Sequence, residues 1–365
     1  MNETEKEYLY LLCRTKGIGA VTIRKLWETF GSFETIYYIE ETGMIQQYPY
    51  LQKTVDWISQ GRKKKEKLLE EYHRLSDHGI QFITPFEEEY PSRLKEIYDY
   101  PMGLMVKGRL PEKKIPMVSI VGARQNTEYG RKLGEWYGKE LAKAGVGVIS
   151  GMAKGIDGEA HWGAFQGGGW TGAVLGNGVE ICYPRENAEL YKKLKQQGCL
   201  ISEYGPWDPP AMGNFPMRNR IISGMADAVV IVEARERSGS LITASLALEQ
   251  GREVLAVPGR VTDPCSKGCN QLIRQGAVPT FSPADVLEYL KIQSAEIGQI
   301  KEKSGKGLSK KEKMVYSCLD LQPKFLDEIA IQSGLEAREC MMILLELELK
   351  GYVVRTGNQH YGKTL

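Results

Sequence analysis

The chain has 365 residues, of which 42% are hydrophobic and 26% charged, and its formal net charge at pH 7 is +2. This length predicts two or three domains, and the near-neutral charge means that any surface for a polyanion must be local. The sequence contains no run of about 18 apolar residues, so no membrane span is predicted. The N-terminus lacks a signal-peptide pattern, and seven cysteines, an odd number, favour reduced thiols in the cytoplasm over a disulfide framework.

Residues 1–75 are predicted to form a helical domain, because apolar residues recur at helical spacing in 8–12 and again in 21–30. Between these stretches, Gly17-Ile18-Gly19 precedes a helix that carries Lys25. This pattern is similar to a helix-hairpin-helix or SAM-like turn, in which glycines let backbone N–H groups approach a phosphate. A turn that only packs two helices together explains the same residues equally well.

Residues 79–291 are predicted to form a Rossmann-like domain. Two short strand candidates, 80–84 and 104–107, come first. Six apolar segments then alternate with helices: MVSIVGA, VGVISG, TGAVLGN, CLISEY, AVVIVEA and EVLAVPG. Such alternation is typical of a doubly wound, mainly parallel α/β sheet that is covered by helices on both faces.

A polar stretch, 292–307, is interpreted as a linker, and 308–365 as a winged helix made of three helices and a β-hairpin with Gly357-Asn358 at its tip. The third helix is acidic, because Glu336, Glu339, Glu346 and Glu348 stand against Arg338 and Lys350. An acidic helix is repelled by phosphates, so a role in protein interaction or regulation is favoured over reading duplex DNA. Arg355 and Lys363 in the wing leave room for weak DNA contact.

Ligands of open α/β sheets bind beyond the carboxyl ends of the strands, where this chain places glycine, hydroxyl and basic residues. The segment FPMRNR is predicted to bring two arginines to the start of a helix over 218–225, where unpaired N–H groups and a partial positive charge suit phosphate. Asp157 is expected to cap its own helix or to orient Arg124 or Lys154. The candidate nucleic-acid-binding residues are Gly122, Arg124, Gly151, Lys154, Gly155, Phe215, Arg218, Asn219, Arg220, Ser238, Gly239 and Ser240.

Several motifs of other functional classes are missing. The sequence has no GxGxxG after the first strand of the alternating region and no GxxxxGK[ST], so neither a dinucleotide nor an ATP-driven motor is expected. The sequence shows no Ser-His-Asp or Cys-His arrangement that would indicate a hydrolase. Cys265 and Cys269 have no second ligand pair nearby, so free thiols are favoured over a metal site. No cofactor is predicted.

The blocks VGARQNTEYG, ISGMAKGIDGEAH, AVLGNGVEICYPREN, FPMRNRIISGMADAVVIVEA and SGSLITASLALEQGREVLAVPG resemble those of the DNA-processing protein A (DprA, or Smf) family over roughly residues 80–290. The resemblance implies a non-enzymatic homodimer that binds single-stranded DNA during natural transformation and loads the recombinase RecA. It also implies a basic pocket of Arg124, Lys154, Arg218 and Arg220, with Phe215 beside a base. The family usually has serine where this chain has Ala123.

Two other functions and one interface remain open at this level. A nucleotide phosphoribohydrolase of the lysine-decarboxylase-like group shares this sheet type, but the stretch RSGSLITASLALE lacks the second half of the motif PGGxGTxxE, with its glutamate, at the required spacing. A transcription regulator that uses the winged helix is the third alternative. A homodimer contact is predicted in 268–275 and 278–281, where Leu272 and Ile273 offer apolar side chains.

Overall fold

The computed structural model describes residues 1–39, 48–292, 308–320, 323–356 and 359–363. The chain divides into two compact units, one formed by 1–125 and 134–294, the other by 126–133 and 295–365. The predicted linker, apart from its first residue, and the predicted hairpin tip lie outside the described residues.

The helices described within the first 75 residues are α1 (Glu3–Cys13), α2 (Ala20–Phe30), α3 (Phe33–Tyr37), α4 (Gln52–Arg62) and α5 (Lys65–His73). The side chain of Asn2 caps α1 by accepting from the N–H of Glu5 at 2.9 Å. In the turn before α2, Gly17 has a φ of +96°, and a Cβ at this position would lie 2.7 Å from the Trp57 ring of α4. Both the backbone conformation and the close packing therefore require glycine there.

The sheet has nine strands among the described residues: β1 (Ile80–Ile83), β2 (Leu104–Gly108), β3 (Met117–Val121), β4 (Gly147–Ser150), β5 (Thr171–Val174), β6 (Cys199–Ser202), β7 (Ala228–Ile231), β8 (Glu253–Ala256) and β9 (Val278–Pro279). The accompanying helices are α6 (Glu128–Lys143), α7 (Ile156–Gln166), α8 (Ala188–Gln197), α9 (Asn214–Gly224), α10 (Gly239–Glu249), α11 (Lys267–Arg274) and α12 (Pro283–Tyr289).

The strand order is β1-β2-β6-β5-β4-β3-β7-β8-β9, and β2 pairs antiparallel with both β1 and β6, whereas all other pairs are parallel. The predicted doubly wound, mainly parallel sheet is confirmed. From β3 the chain builds outward through β4 to β6 on one side, and through β7 to β9 on the other. The strand order therefore reverses between β3 and β7, which is where such sheets bind ligands.

Two hydrophobic clusters pack on opposite faces of the sheet. Adjacent strand residues belong to different clusters, as with Ala173 and Val174, because successive side chains of a strand point to opposite faces. The cluster of Ala173 also contains Leu12 and Ile23 from α1 and α2. The N-terminal helices thus share a core with one face of the sheet and lie in the same compact unit.

The second unit contains the predicted winged helix. Its elements are α13 (Lys310–Ser317), β10 (Lys324–Phe325), α14 (Leu326–Ser333), α15 (Ala337–Leu349), β11 (Val353–Arg355) and β12 (His360–Lys363). The strands pair antiparallel in the order β10-β12-β11. One core joins the helices, with Val315, Ile329 and Leu344 fully buried. A capping box of Ser309 and Glu312 begins α13.

Candidate nucleic-acid interface

A cavity of about 590 Å³ opens beside the carboxyl ends of β3 and β7. Its wall comes from the segment after β3, the first turns of α9, and the segment that leads into α10. The charged groups in this wall are Asp157 and four arginines, Arg124, Arg218, Arg235 and Arg237. Four guanidiniums against one carboxylate select an anionic ligand.

The cavity brings together most of the predicted binding residues and leaves four of them out. The predicted residues in its wall are Gly122, Arg124, Phe215, Arg218, Asn219, Ser238, Gly239 and Ser240. The predicted residues outside its wall are Gly151, Lys154, Gly155 and Arg220.

Helix α9 begins earlier than the sequence predicted. Asn214 is its first residue, so Arg218 and Arg220 lie in the second turn rather than at the N-terminus. Pro216 is tolerated in the first turn because the N–H that it lacks would have no partner within the helix. The arginines therefore act through their side chains, and the free N–H groups at the start of α9 belong to other residues.

The Arg218 guanidinium is buried at the floor of the cavity, at the carboxyl ends of β4 and β5. Its Nη1 donates to the backbone oxygens of Gly151, at 2.9 Å, and Val174. Burial lowers the pKa of Arg218 to about 10, an effect that Asp157 opposes and Arg124 reinforces. The side chain thus stays charged at neutral pH, and the backbone oxygens of Gly151 and Val174 hold it in one orientation.

Asp157, at the start of α7, is the carboxylate of the cavity. Its Oδ2 accepts a hydrogen bond from the N–H of Gly151 at 3.1 Å. Burial raises the pKa of Asp157, whereas the nearby Arg218 charge and the Gly151 N–H favour its ionised form. Asp157 therefore fixes the loop after β4 and partly balances Arg218, rather than orienting Lys154.

An aromatic pair lies at the mouth of the cavity. The rings of Phe215 and Tyr183 have centroids 5.5 Å apart and planes inclined by 35°. The Cζ atoms of Arg124 and Arg218 lie 5.8 and 6.0 Å from the Phe215 centroid, within the range of a cation–π contact. The ring of Phe215 is close to Gly176, where an added Cβ would lie 2.7 Å from it. Aromatic faces and guanidiniums are therefore adjacent.

The N-terminus of α10 forms another part of the wall. The Ser238 side chain caps this helix by accepting from the N–H of Ser240, and the two hydroxyls are 2.7 Å apart. A Cβ at Gly239 would meet nothing within 4 Å, so the approach to the helix end is open. A helix N-terminus carries a partial positive charge, and the exposed Arg235 and Arg237 precede it.

Arg220 does not reach the cavity, contrary to the prediction. Its Nη2 donates to both carboxylate oxygens of Glu203, at 2.8 and 2.6 Å, and its Nε is 3.1 Å from Oδ2 of Asp99. The side chain is buried, and burial raises the pKa of Glu203 against the opposing effect of Arg220. Because two carboxylates neutralise Arg220, its role in the structure is to hold α9 in place.

Lys154 also lies outside the wall, where its exposed ammonium pairs with the exposed Glu186. Gly155 precedes α7 with a φ of +80°, a conformation that favours glycine. Gly151 lies under the Arg218 side chain. These three positions shape the loop after β4, and the structure places none of them against the cavity.

The predicted dimer residues lie mostly in the core. Leu272 of α11 is 8% exposed and packs in the cluster on one face of the sheet, and Ile273 packs partly against the same cluster. The helix is amphipathic, so its apolar residues face the sheet. The exposed apolar side chains of this region follow α11 instead, at Val278 and Phe281.

The two cysteines considered as metal ligands, and one histidine of α7, are buried. Cys265 and Cys269 are buried free thiols, and within the described residues no group of three or more His, Cys, Asp or Glu side chains is placed to hold a metal. The buried His161 has its Nδ1 2.7 Å from the Thr171 hydroxyl, and burial lowers its pKa to about 3. No helix of the described chain has the length and apolar character needed to cross a membrane.

The sequence analysis missed Tyr183, Arg235 and Arg237 as wall residues. Tyr183 lies in the loop after β5, and nothing in its local pattern indicates that Phe215 is its neighbour. A stronger signal was present for the arginines. RERS lies between β7 and the capped N-terminus of α10, after the strand that flanks the reversal of strand order.

Two family models match most of this chain. The family model of DNA recombination-mediator protein A matches residues 81–291, and the model of the DprA winged helix domain matches 299–359. Protein Smf of Escherichia coli is 38% identical over 323 residues, which cover 86% of this chain and 84% of that protein. DNA processing protein DprA of Streptococcus pneumoniae is 45% identical over 234 residues, covering 62% of this chain and 83% of that protein.

Two solved structures are similar to this chain. The X-ray structure of DprA from Streptococcus pneumoniae has a TM-score of 0.68 and 33% identity, covering 77% of this chain and 97% of that one. A Helicobacter pylori DprA structure, described as showing a single-stranded DNA binding mode, has a TM-score of 0.52 and 29% identity, covering 58% of this chain and 96% of that one. The chain therefore belongs to the DNA recombination-mediator protein A family, known as DprA or Smf.

Proposed function

We propose that this chain binds single-stranded DNA in the cavity between β3 and β7. The observation that carries the proposal is the pairing of four arginines with the Tyr183–Phe215 aromatic pair in one wall. Grooves for single strands combine positive charge along the phosphates with aromatic faces on which bases stack. A site that bound a nucleotide through charge alone would not need the aromatic pair.

The residues of the wall have different proposed roles, contact with phosphates for the arginines and contact with a base for the aromatic residues. Arg218 is fixed by backbone oxygens and would meet a phosphate at the cavity floor. Arg124 and Arg237 are exposed, and no carboxylate in the described part of the chain forms an ion pair with either, so both are available to neighbouring phosphates. Phe215 and Tyr183 would receive an unstacked base. Duplex DNA keeps its bases stacked, so this site favours single strands.

The relatives support this proposal. The Helicobacter pylori DprA structure is described by its single-stranded DNA binding mode, and its similarity covers 58% of this chain. The family resemblance further implies that the bound strand is protected and delivered to RecA in the cytoplasm during natural transformation, and we extend both steps to this chain. The wall supplies a binding surface, and the proposed role is non-catalytic.

A homodimer is part of the same proposal. The exposed apolar side chains that follow α11, Val278 in the edge strand β9 and Phe281 (71% exposed), are the surface that we assign to it, in place of the buried Leu272. Sedimentation of a Phe281→Arg variant should show a loss of the dimer. An unchanged dimer would exclude this surface.

Binding to labelled oligothymidylate and to a duplex of equal length, measured by fluorescence anisotropy, tests the proposed function. We expect tighter binding of the single strand and a clear loss of affinity with salt. Equal affinities for single and double strands would contradict the assignment. Release of free base from a nucleoside monophosphate would instead support the phosphoribohydrolase alternative.

A further inference from the structure

The third helix of the winged-helix unit, α15, carries apolar residues on both of its faces. The inner face packs into the core of the unit through Cys340, Ile343, Leu344 and Leu347. On the outer face, Met341, Met342, Leu345 and Leu349 are 43%, 62%, 56% and 81% exposed. These four residues, called the outer stripe here, recur at helical spacing and form one surface.

An exposed run of large apolar side chains marks an interaction surface, because contact of apolar side chains with water is unfavourable. Methionines suit such a surface, since their flexible side chains adapt to a partner. A core-facing helix has no need of a second apolar face. The outer stripe is therefore shaped for a partner and not for the core that the inner face already fills.

The charges around the outer stripe limit what that partner can be. Helix α15 with its caps carries four carboxylates, Glu336, Glu339, Glu346 and Glu348, against two cations, Arg338 and Lys350. Lys311 of α13 pairs with Glu339, and Lys350 pairs with Glu312. The remaining carboxylates give the surroundings of the stripe an acidic character.

We propose that the outer stripe is a docking site for a basic amphipathic helix of a partner protein. Such a helix would bury its apolar face on the stripe and place its lysines or arginines against the carboxylates. DNA and anionic lipid would both be repelled by the same carboxylates. A second copy of α15 would bring like charges together, which disfavours pairing of this surface with itself.

A synthetic peptide of about 18 residues, with leucines at helical spacing and lysines elsewhere, is the probe for this proposal. A second peptide with glutamate in place of each lysine is its matched control. The full chain should bind the lysine peptide, and a Met342→Gln/Leu345→Gln variant should bind it about tenfold more weakly. A Val261→Gln variant is the matched surface control, because Val261 is also an exposed apolar residue, outside this unit.

The variants should keep the thermal unfolding temperature and the single-stranded DNA affinity of the parent, because neither glutamine replaces a core residue. A separate Leu349→Gln variant repeats the test at the most exposed position of the stripe. Equal binding of the lysine peptide by parent and stripe variants would overturn the proposal, and so would equal binding of the glutamate peptide. Loss of self-association, or of duplex DNA binding, without any change in peptide binding would assign the stripe to those occupants instead.

Discussion

The Arg218 guanidinium lies directly against the backbone of Gly151, with its Nη1 donating to the Gly151 oxygen at 2.9 Å. A Cβ added at Gly151 would lie 2.6 Å from the same nitrogen, closer than such atoms can approach. The glycine therefore lets the buried arginine reach the strand ends. The cavity floor depends on this contact.

The substitution Gly151→Ala should displace the Arg218 side chain. We expect the free energy of unfolding to fall by roughly 1–3 kcal/mol, as for other overpacked sites, and the affinity for oligothymidylate to fall as well. Urea denaturation and anisotropy titration measure the two effects. Gly239→Ala is the matched control for stability alone, because its added Cβ meets nothing but Gly239 lies in the cavity wall. A Gly151→Ala variant with unchanged stability and binding would show that Arg218 moves at no cost.

The substitution Arg220→Ala should act on stability rather than on DNA. It leaves Glu203 and Asp99 without their shared guanidinium, and breaking a buried pair in this way costs roughly 3 kcal/mol. Chemical denaturation gives the loss, and oligothymidylate binding by the folded protein should stay close to that of the parent. A stable variant that has lost DNA binding would return Arg220 to the interface.

The substitution Phe215→Leu should weaken single-strand binding and leave duplex binding unchanged. Leucine keeps most of the packing on Gly176 but offers no π face, and loss of one stacked base costs roughly 1–3 kcal/mol. Anisotropy titration of both DNA forms measures the difference. Tyr183→Leu should also weaken single-strand binding and leave duplex binding unchanged, because the two rings form one pair. Equal losses for single and double strands would argue against stacking.

His161 should make the protein less stable in mild acid. Burial lowers its pKa from 6.5 to about 3, so between these pH values the unfolded chain binds a proton that the folded chain excludes. This contribution to the free energy of unfolding is fully present above pH 6.5 and falls with decreasing pH, by up to about 1.4 kcal/mol per pH unit. A His161→Gln variant should lose less stability than the parent between pH 7 and pH 5, by urea denaturation. Identical losses would exclude His161 as the source.

The sequence predicted the sheet and the strand ends that form the cavity, because alternating apolar segments and helices leave few other topologies. It did not separate Arg218 from Arg220. Residues two apart on a helix point about 200° apart, so only one of them can face the cavity once the helix starts early enough to include both. Because Pro216 lies in the first turn of α9, the sequence pattern did not indicate the early start of this helix.

For a different reason, the sequence could not predict contacts between segments that are distant along the chain. Lys154 is neutralised by Glu186, and Tyr183 meets Phe215, yet neither pair is close in sequence. Leu272 was assigned to a surface because its apolar character was visible and its burial was not. In each case the missing information was which segments the fold brings together.

The central claim is that exposed guanidiniums of this cavity contact the phosphates of a single strand. Its most direct test is the salt dependence of oligothymidylate binding by the parent and by an Arg124→Ala/Arg237→Ala variant, with the exposed Arg74→Ala as control. Each lost phosphate contact should lower the slope of log K against log salt by about 0.7, so the double variant should lose about 1.4 at unchanged stability. A slope equal to that of the parent would contradict the account.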